Sequence, residues 1–196
     1  MAKLNRHQNT GQLRIIGGKW RGRKLAFPDV EGLRPTPDRV RETLFNWLQD
    51  KIGGARCLDL FSGSGALGLE AASRGADSVT MVENNLLASK QLQSHCQSIT
   101  ANNCRVESKT AQQFLSSCSQ QFDVVFIDPP YQSNLWSEVA EQLMAQAILA
   151  DSASIYLECP SNGELPIFPA QWQLIKDKKA GSVRYCLFTY NSGDTA

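Results

Sequence analysis

The residues most suited to chemistry in this chain are Asp128-Pro129-Pro130-Tyr131, which close the strongest strand-like run, FDVVFID from Phe122 to Asp128. Two consecutive prolines cannot continue a sheet ladder, so the backbone leaves that strand extended and rigid. A carboxylate, a backbone carbonyl and an aromatic ring are thereby set at the carboxyl edge of a sheet, where open α/β sheets bind ligands. Such a corner suits methylation of an exocyclic amino group on a base. That nitrogen is a poor nucleophile because its lone pair is delocalised into the ring. Asp128 and the Pro129 carbonyl, accepting its two N–H groups, would free the lone pair and hold it in line with a methyl donor. Tyr131 would stack on the base, worth about 1–3 kcal/mol, and the base would have to leave its own stack. The plain alternative is a tight turn whose Asp caps a helix.

A second group lies upstream. Gly63-Ser64-Gly65-Ala66-Leu67-Gly68 is a G-x-G-x-x-G run between a predicted strand and a predicted helix, and Glu83 ends the next strand. That spacing fits a ribose-binding acid beyond a nucleotide-binding turn, as in dinucleotide enzymes. Asp59, just before the turn, points elsewhere. A pyrophosphate at the helix N-terminus needs N–H donors and positive potential, whereas a carboxylate beside it repels phosphate and attracts a cation. S-adenosylmethionine carries an ammonium, a sulfonium and a ribose with two hydroxyls, and suits Asp59 and Glu83 better than NAD does. A plain connecting turn remains the bland reading. The chain lacks the nucleophile elbow G-x-S-x-G and the phosphate loop G-x-x-x-x-G-K-[ST].

Charge is unevenly spread. The chain has 196 residues, 20 Lys and Arg, 19 Asp and Glu, and a net charge of +1. Residues 1–41 carry +7 and residues 42–196 carry −6, which suggests a basic surface for a polyanion beside an acidic body. A solvated basic hairpin without a partner would look the same. The six cysteines show no C-x-x-C or zinc spacing, and the histidines are His7 and His95. No metal site is expected, and the thiols should be reduced in a cytoplasmic protein. With no long apolar run and no signal-peptide pattern, no membrane association is expected. His95 is expected on a helix surface, and Trp20, Trp47, Trp136 and Trp172 as packing anchors.

The elements that must position these residues follow from periodicity. Gln12–Phe27 reads as a basic β-hairpin about Gly17-Gly18. A helix follows, with Thr36 as N-cap and Pro37 in the first helical position; Val40, Leu44, Trp47, Leu48 and Ile52 share one face, and Gly53-Gly54 stop it. Strands are expected over Cys57–Phe61, Ser78–Glu83, Arg105–Glu107, Phe122–Asp128 and Ser154–Glu158. Helices are expected after the glycine turn to about Arg74, through the nineties, near Ala111–Ser117 and over Leu135–Leu149. Such alternation implies βαβ units and a parallel sheet covered on both faces. Trp172–Lys178 and Val183–Tyr190 read as an antiparallel hairpin closing that sheet.

Together these motifs resemble the RsmD family of class I S-adenosylmethionine-dependent methyltransferases, which methylate N2 of one guanine in 16S rRNA. The resemblance runs from about Gln12 to Tyr190 and rests on RIIGGKWRGRKL, RPTPDRVRETLFNWL, DLFSGSGALGLEAASRGA and DPPY. It implies an α/β, Rossmann-like fold: a seven-stranded, mostly parallel sheet with a C-terminal antiparallel hairpin. A basic N-terminal extension over residues 1–33 would precede a methyltransferase domain over residues 34–196.

The resemblance also implies site residues. Asp59, Phe61, Gly63 and Gly65 would hold the methionine part of the cofactor, Glu83 the ribose, and Thr36 and Arg39 would help close the pocket. Asp128, Pro129, Pro130 and Tyr131 would form the catalytic corner. Arg14, Lys19, Arg21, Arg23 and Lys24 would face RNA phosphates. An Asp or Asn usually reads the adenine after the third strand. Here Lys109-Thr110-Ala111 stands there, so a Thr110 hydroxyl or a backbone N–H at Thr110 or Ala111 would have to serve. The implied partner is 16S rRNA within the small ribosomal subunit or its assembly intermediate, met by a monomer without metal. An amino-methyltransferase acting on DNA, other RNA or protein shares the corner. An NAD-dependent oxidoreductase shares the glycine turn, and a non-enzymatic RNA-binding protein shares the basic hairpin.

Overall fold

The computed structural model of the chain describes residues 10–28, 36–130 and 135–193; Tyr131 lies outside them. Strands β1 (Thr10–Arg14) and β2 (Lys24–Pro28) pair antiparallel, with Leu13 opposite Leu25, and helix α1 (Asp38–Trp47) follows. Strands and helices then alternate: β3 (Arg56–Asp59), α2 (Gly68–Ser73), β4 (Ser78–Val82), α3 (Leu86–Ser98), β5 (Cys104–Glu107), α4 (Ala111–Leu115), β6 (Phe122–Ile127), α5 (Trp136–Ala145) and β7 (Leu149–Pro160). Strands β8 (Trp172–Ala180) and β9 (Val183–Tyr190) complete the fold.

The main sheet has seven strands in the order β5-β4-β3-β6-β7-β9-β8. The first five pair in parallel, and β9 runs antiparallel to both β7 and β8. This is the α/β sheet with a closing hairpin that the alternation implied. The order reverses between β3 and β6, so the crevice for a ligand opens at their carboxyl ends.

The central strands are apolar without a break because both faces are covered. On one face Cys57, Met81, Val124, Phe126 and Tyr156 pack with α1 and α2 and with Leu13, Ile15, Trp20, Leu25 and Phe27 of the N-terminal hairpin. On the other, Leu58, Val125, Ile127, Ile155 and Leu157 pack with Phe114 of α4 and Trp136, Val139 and Leu143 of α5. The hairpin therefore contributes to the core as well as carrying charge. Of the four tryptophans, Trp20, Trp136 and Trp172 are buried, and Trp47 stacks on Tyr185.

Several element ends differ from the sequence expectation. Pro37, not Thr36, is the N-cap of α1, and no side chain caps that helix; the Thr36 hydroxyl bonds instead to Glu158. Helix α1 stops at Trp47, before the Gly53-Gly54 stop, and the chain reaches β3 through turns. Helix α5 stops at Ala145 because Ala147 turns the chain with φ of 48°. Strand β7 consequently starts at Leu149, earlier than Ser154, and lies between β6 and β9. His95 is buried rather than on a surface: the hairpin covers α3, and His95 Nε2 lies 2.8 Å from the Ala26 carbonyl oxygen.

Gly17-Gly18 do not form a two-residue hairpin turn; they begin a loop that docks on α2. Gly18 has φ of +73°, and a Cβ there would sit 1.8 Å from the Ser73 carbonyl oxygen. The approach lets Lys19 N–H donate to that oxygen at 2.7 Å, while Trp20 N–H donates to Ser73 Oγ at 2.9 Å. Beneath the loop lies Arg41, only 1% exposed. Its guanidinium donates to the backbone oxygens of Arg14 (2.8 Å) and Thr36 (3.2 Å) and to Asp38 (2.5 Å), and lies 3.5 Å from Glu70. Glu70, also buried, accepts from Ile16 N–H at 2.8 Å and from Arg74 Nε at 2.7 Å. Removing one partner of a buried ion network leaves the other charge uncompensated. Arg41→Ala should therefore lower unfolding stability by about 3–5 kcal/mol, read from urea midpoints at unchanged slope; a midpoint equal to wild type contradicts the bracing role.

Candidate active site

Register gathers acids at one edge. Met81 pairs with Asp59, Asp59 with Phe126, and Phe126 with Tyr156 across four parallel strands. Side chains alternate along a strand, so Glu83, Asp128 and Glu158, each two residues further on, follow on the same face as Asp59. That face carries Met81, Phe126 and Tyr156, under α1 and α2. Asp59, Glu83 and Glu158 are buried, at 2%, 8% and 3% exposure, while Asp128 is half-buried.

The glycine turn wraps the first two acids with backbone donors. Gly68 N–H donates to Asp59 Oδ2 at 3.0 Å, Gly63 N–H to Glu83 Oε2 at 2.8 Å, and Asn85 N–H to Glu83 Oε1 at 2.7 Å. Gly65 takes φ of +83°, and a Cβ there would sit 2.5 Å from Leu92 Cδ2. A side chain at this position would thus meet both strain and the α3 packing. Each Glu83 oxygen keeps a second lone pair for further donors, such as a pair of ribose hydroxyls. Asn85 caps α3 by accepting from Leu87 and Ala88 N–H, which fixes the chain just beyond Glu83.

Burial, chiefly, pushes the Asp59 carboxyl up to about 7; the Glu83 charge adds to this, and the backbone donors oppose it. Asp128 is held well above the usual carboxylate range by desolvation first, then by the charges of Glu158 and Asp59. Desolvation also raises Glu158, against hydrogen bonds from Tyr156 and Thr36. The edge is thus a cluster of carboxylates under mutual repulsion in a poorly solvated crevice. A cationic ligand relieves that repulsion, and an anionic one adds to it. The donor set therefore fits the ammonium and sulfonium of S-adenosylmethionine, and a pyrophosphate fits it poorly.

The remaining expected residues fall in several places. Phe61 is half-buried against the core on the α5 side of the sheet, and Pro129 is buried beside Asp128. Pro130 is exposed. Tyr131 lies outside the described residues. Thr36 meets Glu158 rather than the glycine turn, and Arg39 is exposed on α1. Thr110 is the N-cap of α4: its hydroxyl accepts from Gln113 N–H and its own N–H donates to Gln113 Oε1, both at 3.1 Å. The Thr110 N–H is thus already engaged, which leaves its hydroxyl hydrogen and the Ala111 N–H as donors toward an adenine.

The basic hairpin divides. Arg14 is paired with Asp38 at 2.8 Å; burial raises that carboxyl, but Arg14 and Arg41 outweigh it and leave it below the ordinary value. Lys19, Arg21, Arg23 and Lys24 are exposed, with Lys19 Nζ 5.3 Å from the centre of the Trp20 ring. Sequence reasoning missed Glu158 and Tyr156. The signal available in the sequence was SIYLECP, a lone acid ending an apolar strand; its place beside Asp128 comes from the β6–β7 pairing.

A cavity of about 480 Å³ lies by the end of β7, with Trp136, Cys159, Asn162 and Glu164 in its wall. Trp136 and Cys159 belong to the apolar cluster on the face opposite the carboxylates. Among the described residues no group of His, Cys, Asp or Glu is arranged to hold a metal ion, and no helix is long and apolar enough to cross a membrane.

Residues 13–189 match the family model described as Conserved hypothetical protein 95. The chain is 49% identical to "Ribosomal RNA small subunit methyltransferase D" of Escherichia coli strain K12 over 96% of its own length and 94% of that protein. It is 42% identical to the protein of the same name in Haemophilus influenzae, over 96% and 99% of the two chains. The solved structure of yhhF from Escherichia coli superposes with a TM-score of 0.88 at 48% identity, covering 93% of this chain and all of that one.

The raised Asp59 predicts a pH dependence of stability. Between about 4 and about 7 the folded chain retains a proton that the unfolded chain releases, so this group's contribution to stability falls as pH rises through that window. Asp59→Asn, which carries no charge to desolvate, should melt higher than wild type at pH 8, by about 3 °C or more, with the gap closing near pH 4. A gap independent of pH in scanning calorimetry contradicts the buried-charge account.

Proposed function

The chain belongs to the family described as Conserved hypothetical protein 95, the RsmD family that its motifs resemble, and we propose that it methylates the exocyclic N2 of a guanine in the 16S rRNA of the small ribosomal subunit. It is an S-adenosylmethionine-dependent methyltransferase, acting in the cytoplasm as a monomer on the subunit or an assembly intermediate. The observation that carries the reading is the placement of the desolvated Asp128 carboxyl and the Pro129 carbonyl beside Asp59 and Glu83 on one sheet edge.

When bound, S-adenosylmethionine supplies a methyl group on a positively charged sulfur. Asp59 and the glycine turn receive the amino-acid end of this cofactor, Glu83 its ribose hydroxyls, and Thr110 or Ala111 its adenine. Asp128 and the Pro129 carbonyl accept the two N–H groups of the target amine, fix the nitrogen and return its lone pair from the ring. Positioning and electrostatics then supply most of the rate. The prolines make the acceptor pair rigid, so little ordering is left for the moment of reaction. By sequence, Tyr131 is the aromatic face for the extruded base. Lys19, Arg21, Arg23 and Lys24 hold RNA phosphates, while Arg14 is largely committed to Asp38.

Two tests address separate parts of this reading. Asp128→Ala should lower single-turnover methyl transfer to small-subunit rRNA by about 10²-fold or more, with cofactor affinity by calorimetry nearly unchanged; transfer at the wild-type rate overturns the mechanism. Deleting the hairpin would remove core residues, so the RNA test neutralises charge alone. Lys19, Arg21, Arg23 and Lys24 changed together to Gln should weaken RNA binding and reduce the slope of log affinity against log salt by about 0.7 for each phosphate no longer neutralised. Equal slopes for variant and wild type contradict the RNA-facing role.

A further inference from the structure

The carboxylate that the catalytic reading leaves unused is Glu158. In the parallel pair β6–β7, Ile127 is opposite Leu157. The next rung sets Asp128 and Glu158 side by side, one strand spacing of about 4.8 Å apart. Glu158 is held in place rather than solvated: Tyr156 Oη–H donates to its Oε1 at 2.7 Å, and the Thr36 hydroxyl bonds to the same carboxylate. Its backbone oxygen accepts the Trp136 indole N–H at 2.7 Å. Both side-chain donors are neutral. Among the described residues, the charged or titratable groups around the pair are Asp59 from β3, Tyr156 from β7 and Tyr185, opposite Glu158 on β9. A buried carboxylate with neutral donors, set against a second carboxylate, is an arrangement a fold does not need for stability.

We propose that Glu158 is a positioning residue for methyl transfer, whose fixed negative charge, held by Thr36 and Tyr156, makes its neighbour Asp128 a stronger acceptor for the target amine and for the proton that amine gives up. The inference rests on the proposed amine chemistry at Asp128. In the step itself the nitrogen lone pair forms the new N–C bond as the C–S bond breaks, its electron pair leaving on sulfur. The nitrogen then carries one proton in excess, already hydrogen-bonded to Asp128, and that proton passes to the carboxylate. Repulsion from Glu158 raises the affinity of Asp128 for it, and the two acids hold one proton between them until product leaves. Thr36 precedes α1 and its hydroxyl stabilises the Glu158 carboxylate, so the start of α1 helps set this charge.

The test is the pH profile of single-turnover methyl transfer to small ribosomal subunits by full-length protein. Glu158→Gln keeps hydrogen-bonding groups for Tyr156 and Thr36 and removes the charge. Its acid limb should move to lower pH by about one unit, because Asp128 relieved of the Glu158 charge stays ionised further into acid, and its plateau rate should fall by up to about tenfold. Tyr156→Phe removes a donor, so Glu158 takes up a proton more readily and repels Asp128 less; its limb should also move to lower pH, by less than in Glu158→Gln. A lower limb in both variants, with the larger shift in Glu158→Gln, supports the proposal. A purely structural role would lower rates or melting temperature in both without moving either limb, and coincident limbs overturn it. If wild type transfers no methyl group, the function reading fails; if wild type transfers and the limbs coincide, only the role of Glu158 fails.

Discussion

The register of four parallel strands governs the rest of this structure. Once Met81, Asp59, Phe126 and Tyr156 pair in a row, the acids at or just beyond those positions must crowd one edge of one face. Like charges this close in a poorly solvated crevice raise one another's proton affinity, and among the described residues the fold answers with donors rather than cations. Backbone N–H groups of the glycine turn serve Asp59 and Glu83, and hydroxyls serve Glu158. These donors steady the carboxylates without neutralising them. Among the described residues the edge is served by neutral donors, and on the proposed reading the cofactor would bring positive charge to it. Cofactor binding and catalytic geometry would then share one origin in the pairing of β4, β3, β6 and β7.

A second constraint links the basic hairpin to this edge. Arg41 touches the backbone of Arg14 in β1 and of Thr36 before α1, and it faces Glu70 in α2, the helix that follows the glycine turn. Thr36 in turn reaches Glu158 beside Asp128. The hairpin loop also lies directly on Ser73 at the end of α2. On the proposed reading, a basic element fixed to the helix of the glycine turn would present RNA in a set orientation to the sheet edge.

Much of this is legible in the sequence. The alternation of apolar strands with helices, the G-x-G-x-x-G run and the DPPY corner announce a parallel sheet and its loaded edge, and the basic hairpin shows as a charge imbalance. Element ends are less legible. The α1 start is misplaced by sequence because Thr36 looks like an N-cap until its hydroxyl is seen bonded to Glu158, a residue more than a hundred positions away. His95 reads as a surface residue because no local pattern tells that a hairpin seventy residues upstream covers α3. Glu158 escapes notice because its place beside Asp128 comes from pairing across strands. Tertiary contacts of this kind override local propensity.

The central claim is that this sheet edge transfers a methyl group to a guanine amine of ribosomal RNA through Asp128. The most direct measurement is mass-spectrometric mapping of small-subunit rRNA after incubation with S-adenosylmethionine and either wild-type protein or Asp128→Asn. The account predicts one added methyl group on the N2 of a single guanine with wild type, and none above background with the variant. A methyl group on another atom or another class of molecule, or equal modification by the variant, would contradict it.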